Sequence, residues 1–159
     1  MKRREHLVFI DLAGLPDGPH HEIGRHITLA PPMPQPRDPK KLGEVLRTIA
    51  RKSAPFTVNR GSERLFGSTD DNEMVRVDTI LDPSGELHKL HHHILRALLT
   101  EFPIDGTLDM TYFGDRYNPH STRYDEAILP EELCICALSY YSRVDDSSVN
   151  VTKIPFAAQ

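Results

Sequence analysis

The spacing of apolar and polar residues predicts a chain of short strands interrupted by two helices. Strand-like segments, bounded by Gly, Pro and other turn residues, lie at 6–12, 26–30, 56–66, 73–81, 108–112, 120–124, 133–144 and 149–156. Asp38 with Pro39, and Asp82 with Pro83, have the residue types that start a helix. Apolar residues at helical spacing follow both starts: Leu42, Val45, Leu46 and Ile49 after the first, and Leu87, Leu90, Ile94 and Leu98 after the second.

The order of these elements predicts an α+β fold. Strands that follow one another directly usually pair antiparallel, which argues against a doubly wound parallel sheet. A helix with the same proline start lies in each half of the chain, so we expect one domain over residues 1–159 with two lobes. The repeated helix start also favours an internally duplicated arrangement, although the two halves are not similar enough in sequence to establish it.

Composition and charge narrow the function classes. The 159 residues include 19 Lys and Arg against 23 Asp and Glu, which gives a net charge of −4. Binding to duplex DNA rests on a basic face that neutralises phosphates, so a duplex DNA partner is not expected, whereas a small nucleotide in a local site remains compatible. No apolar run approaches the roughly 20 residues that span a bilayer, so no membrane partner is expected.

The two cysteines bear on the compartment. Cys134 and Cys136 are two residues apart, a spacing from which disulfide geometry is hard to reach. We therefore expect reduced thiols in the core of a strand and a cytoplasmic protein.

Two segments place a threonine two positions after a histidine: His26 with Thr28, and His120 with Thr122. Both pairs lie in predicted strands, one in each half, and residues two apart on a strand point to the same face. Two such strands would bring two imidazoles and two hydroxyls into one cleft. A neutral imidazole can take a proton from an attacking oxygen, a protonated one can give a proton to the leaving oxygen, and the hydroxyls can hold phosphate oxygens. The pattern favours in-line attack at phosphorus.

These motifs resemble those of the 2H phosphoesterase superfamily, which includes the 2′-5′ RNA ligase-like proteins and RNA 2′,3′-cyclic phosphodiesterases. HITLA at 26–30 is similar to the first family motif, and PHSTRY at 119–124 is similar to the second. The segments PFTV…RLF, LHKLHHHILRALL, LCICALSYYSRV and VNVTKIPF also resemble the family, so the resemblance covers nearly the whole chain. Arg123 departs from the aliphatic residue common in the second motif, which leaves the substrate open.

The resemblance implies a bilobal α+β fold, with pseudo-duplicated antiparallel sheets flanked by helices around a central cleft. It also implies a phosphodiesterase that uses neither a metal nor another cofactor. Its substrate would be a 2′,3′-cyclic phosphate or a 2′-5′ phosphodiester of RNA ends or oligonucleotides. The matching active-site positions in this chain are His26, Thr28, His120 and Thr122.

Other residues are weaker candidates for substrate binding. Tyr124 shares the face of His120 and could stack on a base. Arg123, like Arg25 and Arg116, could contact a phosphate. The adjacent residues His91, His92 and His93 point about 100° apart on a helix and cannot close around one metal ion, so a helix surface is expected for them.

Two further functions fit the same residues. One is a cyclic-oligonucleotide phosphodiesterase that degrades a defence signal, as small phage proteins do. The other is a non-catalytic module of the same fold that binds RNA ends or nucleotides. Loss of one histidine would mark such a module, and both histidines are present. In every case the partner is an RNA end or a small, including cyclic, oligonucleotide, and the protein is expected to be a monomer.

Overall fold

The computed structural model of the protein describes residues 6–33, 39–67, 74–101, 113–123 and 127–157. In chain order the strands and helices are β1 (His6–Asp11), β2 (Gly18–His20), β3 (His26–Thr28), α1 (Pro39–Arg51), β4 (Phe56–Gly67), β5 (Met74–Leu81), α2 (Glu86–Glu101), β6 (His120–Thr122), β7 (Glu132–Ile135), β8 (Ala137–Asp145) and β9 (Ser148–Pro155). A short 3₁₀ turn, Gly114–Arg116, precedes β6. The predicted strand at 108–112 and the predicted cap Asp38 lie outside the described residues.

The strands form two antiparallel sheets, which confirms the predicted bilobal α+β architecture. One sheet has five strands in the order β2-β9-β8-β1-β3, and the other has four in the order β6-β5-β4-β7. β3 is an edge strand of the first sheet and β6 is an edge strand of the second. Each histidine motif therefore occupies an edge strand of its own sheet, as the pseudo-duplicated arrangement requires.

The core lies on both faces of the five-stranded sheet. Because side chains alternate along a strand, Val8 and Ile10 of β1 face the main cluster with the helices, while Leu7 and Phe9 face a smaller cluster. The main cluster includes Leu42 and Leu46 of α1 and Leu87, Ile94 and Leu98 of α2. The predicted stripe of α2 is thus buried, whereas in the stripe of α1 Val45 and Ile49 are half-buried. None of the helices in the described ranges is long and apolar enough to cross a membrane.

The start of α2 differs from the prediction. The helix begins at Glu86, three residues after Pro83, because Asp82 to Gly85 form a turn in which the Gly85 N–H donates to Asp82 O at 3.0 Å. Gly85 has a φ of 76°, in the left-handed region that favours glycine, so the turn cannot be part of the helix. The Asp82 carboxylate then accepts the N–H groups of Leu87 and His88 and caps the first turn.

The predicted strand at 133–144 is two strands in different sheets. β7 pairs with β4, while β8 pairs with β1 and β9. Ile135 and Leu138 are both buried, so the alternation of period two breaks between them. Strand β9 follows β8 as the predicted closing hairpin.

The prediction that the two cysteines belong to a strand core is wrong. β7 is an edge strand whose inward residues are Leu133 and Ile135, both buried. Cys134 alternates with them and faces outward, and Cys136 follows at the end of the strand. Both are exposed free thiols.

Candidate active site

The two histidine motifs meet where the two sheets approach each other. β3 and β6 lie next to each other, although they belong to different sheets. Antiparallel pairing fixes each one in register: His26 opposes Asp11 of β1, and His120 opposes Thr79 of β5. The duplicated fold thus brings together residues that are far apart in the chain.

Within each motif the side chains alternate as the spacing predicted. Ile27, at the centre of β3, is fully buried, and Ser121, at the centre of β6, is fully buried as well. The flanking histidine and threonine of each strand are half-buried. Each strand therefore presents one imidazole and one hydroxyl on the face opposite its buried central residue.

Both imidazoles are oriented by the same local hydrogen bond. The Nδ1–H of His26 donates to the carbonyl of Gly24 at 2.9 Å, and the Nδ1–H of His120 donates to the carbonyl of Asn118 at 2.8 Å. A carbonyl oxygen can only accept, so in each neutral ring the proton is on Nδ1 and the lone pair is on Nε2. Nε2 is therefore the nitrogen through which each ring gains or loses a proton.

An aromatic ring packs against each histidine. The centroid of the Phe9 ring lies 5.7 Å from that of His26 in an edge-on arrangement, and the centroid of Phe66 lies 4.5 Å from that of His120. Burial lowers the pKa of His120, because a low-dielectric environment disfavours the charged ring, and the bond to Asn118 O opposes this effect only in part. His120 is thus held toward its neutral form.

Arg25 is not a candidate phosphate contact, because its guanidinium is buried between the two motifs. It donates to Asp78 Oδ2 at 2.6 Å, to Ser121 Oγ at 3.2 Å and to Ala127 O at 2.9 Å. All three acceptors belong to the four-stranded sheet or to the segment that follows β6, whereas Arg25 directly precedes β3. The side chain therefore joins the two lobes.

Arg123 is also engaged by carboxylates, and its contact with a phosphate stays a prediction. Its Nε lies 3.2 Å from Asp78 Oδ2 and its Nη1 lies 3.3 Å from Glu63 Oε2. Burial alone would raise the pKa of Asp78, but hydrogen bonds from Arg25 and Arg123 outweigh it and hold that pKa below its usual range. The other candidate, Arg116, is exposed on the turn before β6. Tyr124 lies outside the described residues.

The structure adds two residues that the sequence analysis missed, His91 and Tyr117. His91 was expected on a helix surface with His92 and His93, but only those two neighbours are exposed, and His91 is 0% exposed. Its Nδ1–H donates to Leu29 O at 2.7 Å, and its Nε2 accepts the Gly114 N–H at 2.9 Å. One side of α2 thus holds both the end of the first motif and the turn that leads to the second.

Tyr117 completes this connection. Its ring stacks on His91 with centroids 3.9 Å apart, and its hydroxyl donates to Thr28 O at 2.8 Å. A signal for His91 was present in the sequence: it lies four residues after Leu87 and three before Ile94, within the apolar stripe of α2.

A cleft of about 210 Å³ opens beside His26. It is lined by Leu7, His21, Glu22, Ile23, His26, Tyr141, Arg143 and Val149. Apolar side chains on its floor and charged side chains at its rim make it suitable for a flat, polar-edged group. A larger, more open groove of about 800 Å³ lies elsewhere, between residues of β4, β7 and the start of α2. Within the described ranges, no three or more His, Cys, Asp or Glu side chains are grouped so that they could hold a metal ion.

Comparison with known proteins identifies relatives of this fold. The family model described as the 2′-5′ RNA ligase superfamily matches residues 11–134, which is more than half of the chain. No curated protein is significantly similar in sequence.

Solved structures with the same fold cover almost the whole chain. TT0787 of Thermus thermophilus is 12% identical, with 98% of this chain and 99% of that chain covered and a TM-score of 0.64. E. coli LigT complexed with 3′-AMP is 12% identical, with 96% of each chain covered and a TM-score of 0.55. E. coli LigT complexed with phosphate is 13% identical, with 97% and 96% covered and a TM-score of 0.52. At these identities the similarity shows a shared fold.

Proposed function

The chain belongs to the 2′-5′ RNA ligase superfamily, and from that premise we propose that it is a phosphodiesterase with two-histidine acid–base catalysis. Its substrate is a 2′,3′-cyclic phosphate or a 2′-5′ phosphodiester of an RNA end or oligonucleotide, and its mechanism needs no metal. The observation that carries the proposal is the matched pair of edge strands. β3 and β6 lie together, and each orients its imidazole through an Nδ1 bond to the carbonyl two residues earlier.

The proposed reaction moves two protons. Water attacks phosphorus, and His120 Nε2 takes a proton from it, since burial lowers the pKa of His120 and favours its neutral form. The bond from phosphorus to the leaving sugar oxygen breaks as protonated His26 gives its Nε2 proton to that oxygen. Proton exchange with solvent then restores both rings. The hydroxyls of Thr28 and Thr122 donate hydrogen bonds to the non-bridging oxygens, whose negative charge increases in the transition state.

The substrate class follows from the surroundings of the histidines. The cleft of about 210 Å³ that His26 lines has room for a nucleobase or ribose beside the reacting phosphate. E. coli LigT, which shares the fold, has been solved with 3′-AMP and with phosphate, which supports a nucleotide substrate here. From the sequence we propose Tyr124 as a base-stacking residue and Arg123 as a weaker phosphate contact, which would have to form beside its bonds to two carboxylates.

We also propose that the protein is cytoplasmic and monomeric. Cys134 and Cys136 are free thiols, which suits a compartment where disulfides are rare.

A substrate panel tests the proposal. Cyclic mononucleotides, RNA ending in a 2′,3′-cyclic phosphate, 2′-5′ dinucleotides and cyclic oligonucleotides are incubated with the protein, and the products are identified by mass. A mass gain of one water at the phosphate or a cleaved 2′-5′ bond supports the proposal. Turnover of cyclic oligonucleotides alone supports the defence-signal function instead. Binding without turnover indicates a non-catalytic module.

Replacement of the two histidines separates their chemistry from binding. His26→Ala and His120→Ala are each expected to lower kcat by about 10²–10⁴-fold, the usual contribution of a proton-transfer group. The double variant should lose less than the product of the two losses, because both groups act on one transition state. Substrate affinity should change little. His93→Ala, an exposed position on α2, is the matched control. Wild-type kcat in both single variants would show that neither histidine is catalytic.

A further inference from the structure

Arg25 occupies an unusual place for a charged residue, because it is buried directly before one motif and bonded to the other. Its side chain is 9% exposed, and its carbonyl accepts the Leu12 N–H at 2.9 Å, which extends the pairing of β1 and β3 by one position. The guanidinium reaches three acceptors on three segments: the Asp78 carboxylate on β5, the Ser121 hydroxyl on β6 and the Ala127 carbonyl after β6. All three bonds run from the lobe of the five-stranded sheet to the lobe of the four-stranded sheet. We call this set of bonds the Arg25 clamp.

The contact with Ser121 makes the Arg25 clamp relevant to the imidazoles. Arg25 is the residue before His26, and Ser121 is the residue after His120. Consecutive residues of an extended chain point to opposite sides. The clamp therefore lies behind the two strands while both imidazoles project to the other side. A shift of Arg25 relative to Ser121 is transmitted directly to the separation of His26 and His120.

The energetics of the buried ion pair between Arg25 and Asp78 also favour a positioning role over a purely stabilising one. Asp78 is 2% exposed and accepts from both Arg25 and Arg123. Burying an ion pair costs about as much desolvation energy as the attraction returns, so its net contribution to stability is often small. The planar fork of arginine, however, holds several acceptors at fixed angles, which a single ammonium group does not do.

We infer that Arg25 is a positioning residue that fixes His26 against His120 by bonding Asp78, Ser121 and Ala127. This inference rests on the proposed two-histidine function. A misplacement of about 1 Å in a catalytic constellation can lower the rate on the order of 100-fold. Loss of the clamp should therefore act on kcat, because the histidines remain present while their geometry in the transition state is lost.

Three variants of the full chain test this role. Arg25→Lys keeps the ion pair with Asp78 but not the bonds to Ser121 and Ala127, and Arg25→Met removes all of them. Arg60→Met is the matched control, because Arg60 is half-buried, lies on β4 and so on neither motif strand, and donates to the carbonyl of Leu129, in the same segment as Ala127. Stability is measured for each by urea unfolding, and kcat and KM are measured on the substrate identified by the panel.

The expected result is a separation of activity from stability. Arg25→Lys should fold, keep its KM and lose kcat by about 100-fold, whereas Arg60→Met should lose stability and keep its kcat. If Arg25→Lys keeps the wild-type kcat, or if kcat falls equally in Arg60→Met, the arginine is structural and the inference is wrong. Should Arg25→Met not fold, Arg25→Lys alone decides between these outcomes.

A second measurement does not depend on turnover. Inorganic phosphate is titrated into protein labelled at its histidine rings, and the imidazole resonances of His26 and His120 are followed by NMR. In wild type and Arg60→Met both resonances should shift along one binding curve, because one phosphate touches both rings. In Arg25→Lys binding should be weaker, and if the phosphate now binds each motif separately the two rings should follow two different curves. One common, unweakened curve in that variant refutes the clamp, whereas a wild-type protein that shows the common curve but turns over nothing refutes the proposed function alone.

Discussion

Replacement of His91 by phenylalanine removes the link between α2 and the backbone of both motifs. The wild-type ring donates to Leu29 O and accepts the Gly114 N–H, at 2.7 and 2.9 Å. Phenylalanine fills a similar volume and can still stack on Tyr117, but it leaves the buried carbonyl of Leu29 and the partly buried N–H of Gly114 without this partner. An unsatisfied buried group costs about 1–3 kcal/mol, and a partly buried N–H that water can reach costs less, so His91→Phe should lower the free energy of unfolding by about 1–3 kcal/mol. His91→Gln, whose amide can replace one of the two bonds, should lose less.

The same residue should make stability depend on pH. Burial lowers the pKa of His91, the bond to Leu29 O opposes this effect, and the neighbouring His92 and His88 add to it. A histidine with a lower pKa in the folded state binds fewer protons when folded than when unfolded. The contribution of the neutral His91 ring to the free energy of unfolding is therefore fully present above the ordinary histidine pKa of about 6.5. It decreases as the pH drops below that value. Burial shifts the pKa of His120 in the same direction, so His120 contributes the same sign.

The assay is urea unfolding of wild type, His91→Phe and His93→Gln at about pH 8 and about pH 5. His93 is the control because it is an exposed histidine on the same helix. Wild type and His93→Gln should lose stability between the two pH values, while His91→Phe should be less stable at pH 8 and lose less on acidification. An unchanged pH dependence in His91→Phe would refute the assignment of His91 as a buried neutral ring.

Three further predictions concern the catalytic reaction and the thiols. The pH profile of kcat/KM should pass through a maximum, with an acidic limb below the ordinary histidine pKa because burial lowers the pKa of His120; a flat profile between about pH 5 and pH 9 contradicts this. Turnover should persist in excess EDTA, because imidazoles move the protons, and full loss with rescue by a divalent ion contradicts it. The exposed Cys134 and Cys136 should react with a thiol reagent in the native protein, and the Cys134→Ser, Cys136→Ser double variant should keep its kcat.

The elements that sequence predicts best are those whose information is local. Alternation around Ile27 and Ser121 predicts two strands with a histidine and a threonine on one face, and the structure places both strands in this way. The stripes of α1 and α2 identify their buried faces in the same way. In each case residues close in the chain decide which side chains share a face. The buried face of a strand or helix can therefore be predicted without knowing which element packs against it.

The partner of each buried polar group could not be predicted from the sequence. Arg25 and Ser121 are 96 residues apart in the chain, and His91 and Leu29 are 62 apart. No local pattern indicates that either pair meets, and the usual preference of arginine for the surface argues against the first pair. The division of 133–144 into two strands has the same cause. Its first part pairs with β4 and its second part with β1, and both partners lie far away in the chain.

The two halves of the site are equivalent in one respect and different in another, and acid–base catalysis needs both. The bonds from Nδ1 to Gly24 O and Asn118 O are the same in the two motifs, so each ring offers Nε2 for proton transfer. An acid and a base, however, must differ in protonation at the same pH. That difference has to come from the surroundings that are not duplicated: His120 packs closely on Phe66, and burial favours its neutral form, whereas His26 lines the cleft with Glu22. In the proposed mechanism the duplicated backbone sets which atom exchanges the proton, and the unequal flanking side chains set the direction in which the proton moves.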